Sequence, residues 1–306
     1  MDFDVIASIM TIVGLATPIL LAGTGELVVE KSGVLNLGVE GMMLVGAIAG
    51  FAVTVMTFNP WVGVLGAAAG GALASMLFAV LVLQLNANQV ATGLALTIFG
   101  TGLSSLLGLS FTGRIVAPFG SVFPQELSAH PIGKLIFGHS PIVYFALLMV
   151  PLTAWFLKST RAGLIVRAVG ENDLSAHSIG YSVRKVRYAA IAFGGAMAGI
   201  GGCYFSLVIT PMWAERMTAG RGWIALALVV FAGWRMGRLV FSAYFFAVLI
   251  WLELFAKGSG FAFLPSQFWA AMPYVMTIVA LTIISARGTA GANAPACLGR
   301  PFLPST

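Results

Sequence analysis

Long apolar runs, each near the length that crosses a bilayer, alternate along this chain with short connections that hold most of its charge. Nine runs are expected, at 5–25, 35–57, 61–83, 89–109, 140–157, 188–209, 222–235, 239–257 and 268–286. The run 222–235 is short and is followed at once by Arg235 and Arg238, so it reads as a tight turn or a half-helix. Lipid offers no partner for backbone polar groups, so spanning runs of this length must be helices. The pattern predicts an all-α polytopic membrane bundle of about eight to ten transmembrane helices over residues 1–287. The tail 288–306 carries Gly, Ala, Asn and Pro without apolar periodicity, and is expected to be a disordered cytoplasmic extension.

Composition sharpens the pattern. The 306 residues are 59% hydrophobic and 8% charged, and the mean hydropathy is +0.98. Soluble domains carry about 25% charged residues, so ten acids and sixteen bases cannot coat a globule of this size. The net charge of +6 does not point to nucleic acid, because the bases neither interleave with aromatics nor follow one helix face. They mark topology instead. The connection 158–187 holds Lys158, Arg161, Arg167, Arg184, Lys185 and Arg187 against Glu171 and Asp173, which predicts that it is cytoplasmic. With nine spans, Arg235, Arg238, Arg287 and Arg300 then fall inside and the acidic N-terminus outside. The Pro-containing connection 110–139 becomes an outer loop with room for a short surface or re-entrant helix. No Lys or Arg precedes Lys31, so the first run lacks the basic start of a cleavable signal and is expected to be retained. Trp61, Trp213, Trp234 and Trp269 fit interfacial belts. Gly46/Gly50, Gly66/Gly70 and Gly195/Gly199 have the spacing of close helix contacts within one bundle.

Signatures of catalysis are missing. His130, His139 and His177 lack metal-ligand spacing, Cys203 and Cys297 form no framework, and no nucleophile elbow occurs. Around Gly133-Lys134, Ser128 stands where a phosphate loop needs its first glycine and Leu135 where it needs Ser or Thr. No cofactor, metal or catalytic residue is expected, and any ATP hydrolysis must come from another polypeptide.

The chemistry concentrates in residues 25–47, where Glu26, Glu30, Lys31, Asn36 and Glu40 lie among Gly33, Gly38 and Gly41. A polar, flexible break at membrane depth is tolerated only inside protein or along a watery cavity. A lipid-facing carboxylate costs about 2.5–3.5 kcal/mol on insertion scales, so Glu40 is expected to face inward. Asn36 and Glu40, four apart, are expected to share a helix face. Two roles remain open: lining a substrate path, or holding a kink. Asn88 and Gln89 likewise either cap a helix or join the path. Glu253 and Lys257 read as an i,i+4 pair. In 167–188, Asn172 or Asp173 offers a helix start and Gly180 a stop, giving a short amphipathic helix presented to the cytoplasm.

Four segments, EKSGVLNLGVEGMMLVGA (30–47), NQVATGLALTIFGTGL (88–103), VGENDLSAHSIGYSV (169–183) and GRGWIALALVVFAGW (220–234), give the chain its resemblance to a family. It resembles the permease of bacterial ABC importers of the branched-chain amino acid, ribose and nucleoside group, and most of all the nucleoside and simple-sugar permeases. The resemblance covers nearly the whole chain before Arg287. It implies one half of a type II importer in the bacterial inner membrane. The implied partners are a second homologous permease, a cytoplasmic ABC ATPase and an extracytoplasmic substrate-binding protein. Gly170, Glu171, Asn172 and Gly180 match the family's coupling loop, which docks on the ATPase. The chain departs from that pattern at Asp173, where proline is common, and at His177. An ion-coupled secondary transporter is the alternative. It favours paired carboxylates or repeat-related broken helices at the midplane, and only the 25–47 segment suggests these.

Overall fold

The computed structural model describes residues 4–258 except 125 and 129, isolated positions within 265–282, and 294–303. The described chain is helical. Its elements are α1 (Val5–Lys31), α2 (Val39–Thr57), α3 (Pro60–Leu83), α4 (Gln89–Gly108), α5 (Pro131–Phe137) and α6 (Pro141–Ser159). They continue with α7 (Arg161–Glu171), α8 (Asp173–Ser178), α9 (Val183–Tyr204), α10 (Arg221–Phe231) and α11 (Met236–Gly258). Seven of these helices are long and apolar enough to cross a membrane: α1, α2, α3, α4, α6, α9 and α11. The expected run at 222–235 is the short helix α10, and the expected span 268–286 lies largely outside the described residues.

Helix ends follow local chemistry. Asp4 accepts from the amides of Ile6 and Ala7 and starts α1. Phe58 takes a left-handed conformation after α2, and Asn59 then caps α3 through the Trp61 amide with Pro60 in the first turn. Two helices run beyond their expected limits because their charged residues have partners. α1 continues through Glu26, Glu30 and Lys31, with Glu30 accepting from the Trp234 indole. α9 begins at Val183, with Arg187 buried in its second turn.

The core is centred on α9, which packs against α1, α2 and α3 at glycine crossings. A Cβ on Gly46 would lie 2.3 Å from the Gly199 Cα, and one on Gly71 would lie 2.1 Å from the Gly195 carbonyl oxygen. The small-residue pairs therefore set backbone-to-backbone packing inside one bundle. The 110–139 connection contains α5 and ties back through Val116 N–H to the Pro211 carbonyl and Phe119 N–H to the Leu207 carbonyl.

Two expectations are corrected here. Trp213 and Trp234 are buried rather than interfacial: the Trp213 ring covers Gly108, and Trp234 donates to Glu30. The tail is also not without order where it is described. Residues 294–303 fold against the bundle, with Cys297 N–H donating to the Gly170 carbonyl (2.9 Å) and Gly299 N–H to the Gly33 carbonyl (3.2 Å). Phe302 buries its ring with Val169, Ala176 and Val183. One anchoring aromatic and carbonyls held open at Gly33 and Gly170 supply what composition did not foretell.

Candidate functional site

Two interruptions of the helical pattern meet at Glu40. The first is the turn 32–38. Gly33, at φ +89°, ends α1 and donates to the Glu30 carbonyl. Leu35 N–H then donates to Gln89 Oε1 (2.8 Å), and Asn36 N–H to Glu26 Oε1 (3.3 Å). Asn36 Oδ1 accepts from Gly38 N–H (3.0 Å), and the Leu37 carbonyl accepts from Thr97 (3.1 Å). The exposed-backbone penalty of a break in the membrane is met by side chains from α1 and α4. Asn36 therefore precedes α2 rather than lying on it, so it does not share a helix face with Glu40. Its side chain closes a turn onto Gly38, and Asn36 is fully buried.

The second interruption follows α9. Residues Phe205–Ile209 form a π-helical turn, and the chain then runs to Gly220, where α10 begins. Arg216 (φ 53°), Ala219 (φ 47°) and Gly220 (φ 80°) are left-handed, two of them against steric preference. α10 has no side-chain cap of its own. Glu40 supplies it from α2: Oε2 accepts from Gly222 N–H (2.6 Å), and Oε1 from Gly220 N–H (2.9 Å) and the Thr218 hydroxyl (2.5 Å). A carboxylate at a helix N-terminus meets unpaired amides and the positive end of the dipole. Gly222 must be glycine, since a Cβ would stand 2.6 Å from the Glu40 Cα.

Beside this junction opens a groove of about 750 Å³ between α2, α4 and the start of α10. Thr97, Thr101 and Ser105, spaced i, i+4, i+8 on α4, line it opposite Glu215 and Arg216, and Ser105 donates to Glu215 Oε1 (3.1 Å). Glu40 is part of this wall, but its carboxylate is engaged by α10. Asn36, Asn88 and Gln89 are not among the lining residues. Asn88 caps α4 through Ala91 N–H (3.0 Å), and Gln89 bridges Leu35 N–H and the Arg300 carbonyl. The hydroxyl stripe was missed in the sequence, although its four-residue spacing was readable there.

At the Lys31 end of the bundle, α7 and α8 form a ledge. Asn172 caps α8 by accepting from Ser175 N–H (2.9 Å), and Gly180 (φ +93°) follows α8 in open space. Helix start and stop thus coincide with the residues expected for them. Gly170 packs under the ledge, where a Cβ would stand 2.2 Å from the Lys31 carbonyl oxygen. Glu171 and Asn172 are exposed, as are the apolar side chains of Leu174 and Ile179. The Glu253–Lys257 pair forms at 2.6 Å.

Apolar spans, a capped half-helix facing a polar groove and an exposed ledge at one end define a multi-pass membrane transport subunit. Residues 8–281 match the family described as the permease component of the branched-chain amino acid transport system, and the chain belongs to that family. Across 278 residues it is 43% identical to the permease protein TsgC13 of Haloferax volcanii, whose name assigns it provisionally to a glucose ABC transporter; the match covers 88% of this chain and 84% of that one. It is 31% identical to the guanosine ABC transporter permease protein NupQ of Bacillus subtilis over 94% of this chain and 93% of the relative. The nucleoside ABC transporter permease protein NupC of Lactococcus lactis is 30% identical, with 90% and 91% covered. The chain is a permease subunit of an ABC transporter.

Proposed function

We propose that this chain forms half of the path of an ATP-driven importer for a nucleoside or simple sugar, and that the groove beside Glu40 is part of that path. The observation that carries the reading is the seating of α10 on Glu40 next to the Thr97–Thr101–Ser105 stripe. The three hydroxyls donate to Leu37, Thr97 and Glu215 and turn acceptor lone pairs to the groove, which suits the O–H and N–H groups of a polyol or a base edge, and relatives are named for glucose, guanosine and nucleosides. Glu40 contributes as the fixed wall of the path; Asn36 and Gln89 act behind it by holding the 32–38 turn, and Asn88 by starting α4.

The Lys31 end is the cytoplasmic end on this reading, supported by the basic residues of 158–187. Gly170, Glu171, Asn172 and Gly180 then shape the ledge that docks on a separate ABC ATPase. A second homologous permease completes the path, and an extracytoplasmic binding protein delivers the solute. The test is uptake of labelled guanosine and labelled glucose into proteoliposomes holding this chain, the partner permease, the ATPase and the binding protein. Uptake of one of them that needs enclosed or external ATP at the ATPase supports the reading. Uptake driven by an ion gradient without ATP favours a secondary transporter.

A further inference from the structure

Arg187 joins three segments that are far apart in sequence. Its side chain has no solvent-exposed surface, and all three guanidinium nitrogens donate. Nη2 reaches Asp173 Oδ2 in α8 (3.1 Å), Nε reaches the Ser32 carbonyl just past α1 (3.2 Å), and Nη1 reaches the Arg300 carbonyl (3.5 Å). Gly33 leaves the room this needs, because a Cβ there would stand 3.0 Å from Nη2. A guanidinium is planar and carries its donors in a rigid fork, so acceptors bonded to it keep fixed mutual positions.

The consequence lies in what those acceptors belong to. Asp173 is the first residue of α8, the exposed helix of the ledge. Ser32 opens the turn that runs through Asn36 to Glu40, and Glu40 holds the start of α10. Arg187 therefore ties the ledge by hydrogen bonds to the start of this turn, and the backbone of the turn leads on to the groove wall. A staple for α8 alone would need only the Asp173 bond. We propose that Arg187 is a positioning residue that transmits displacement of α8 to the 32–38 turn, so that ATPase movement and rearrangement of the groove are one event. The proposal rests on the reading of α8 as the ATPase-docking helix. A ligand-driven change needs a contact whose free energy differs between two states, and a charge-assisted three-way bond is broken or kept as a unit.

The experiment uses the complete transporter in proteoliposomes and reads retained ATPase, basal hydrolysis and solute imported per ATP. Asp173→Asn with Arg187→Met removes the link without leaving one buried charge unpaired. That double variant is expected to keep the ATPase and its basal hydrolysis within about twofold, while import per ATP falls about tenfold, in the range of measured couplings between sites. Arg187→Lys, which keeps the charge on Asp173 but cannot reach three acceptors, is expected to fall between. Unchanged import per ATP in the double variant overturns the proposal, as does a loss of import that only tracks loss of ATPase. Should the double variant fail to insert, Asp173→Ala decides: it frees α8 while Ser32 and Arg300 keep their bonds, and unchanged import per ATP overturns the link. A wild-type complex with no ATP-driven uptake overturns the importer reading itself; normal wild-type coupling with a fully coupled variant overturns only the role of Arg187.

Discussion

The Glu40 carboxylate accepts the Gly222 amide at 2.6 Å, binding the start of α2 to the start of α10 across more than half of the chain. Each helix begins where the chain is interrupted, and each needs the other to satisfy its buried polar groups. Glu40 thus fixes the groove wall by capping, its carboxylate held by the amides of Gly220 and Gly222 and the Thr218 hydroxyl.

Replacing Glu40 by Ala strands the Thr218 hydroxyl and the amides of Gly220 and Gly222. Each unsatisfied buried group costs about 1–3 kcal/mol. Uptake is expected to be lost, while Glu40→Gln, which keeps one acceptor oxygen but turns an NH2 towards the remaining donors, is expected to retain a part. Membrane yield and uptake of the two variants, measured together, check this.

Gly46→Val is expected to block assembly, because its side chain would enter the backbone of Gly199. Overpacking of this kind costs about 3 kcal/mol or more where no side chain can move aside. Thermal stability of the detergent-purified complex reads the effect, with Met56→Val, at an exposed position of α2, as the comparison.

Conversion of Thr101 to Val removes one hydroxyl from the middle of the groove stripe without changing the shape of α4. Assembly and basal ATP hydrolysis are expected to persist, while the apparent affinity for solute weakens by about tenfold, the worth of one lost hydrogen bond to a bound polar group. Competition between guanosine and glucose before and after the change reads the effect.

At the ledge, Glu171→Lys with Gly180→Val reverses an exposed charge and adds a β-branched side chain at φ +93°. Co-purification of the ATPase is expected to fall, with membrane insertion unchanged. Equal ATPase recovery from both proteins would move the docking surface elsewhere, to Arg235 and Arg238 first.

A cysteine at exposed Ser178 is expected to resist an impermeant thiol reagent in intact cells and to react once the membrane is opened. Labelling from outside would reverse the topology that the basic residues of 158–187 imply.

Much of this architecture was legible because spanning runs and capping residues act locally. The α8 start at Asn172, the stop at Gly180 and the shortness of α10 each depend on a few neighbouring residues. The glycine pairs were legible for the same reason, since close packing needs their spacing. What was not legible depends on distant partners. Asn36 was expected on the face of Glu40, but Gly38 and Glu26 hold it in a turn instead. Arg187 read as one of six topology-setting charges, and only the fold brings Asp173, Ser32 and Arg300 to it. The tail read as unordered because its anchors, Gly33 and Gly170, lie more than a hundred residues away.

The central claim is that solute passes along the groove between α2, α4 and α10. The most direct measurement places a single cysteine at position 101 in a Cys297→Ser background, with Cys203 left buried, and follows ATP-driven uptake during reaction with a small hydrophilic thiol reagent. Progressive block of uptake, slowed by saturating solute, is the predicted result. Complete modification of that cysteine with uptake unchanged would contradict the claim.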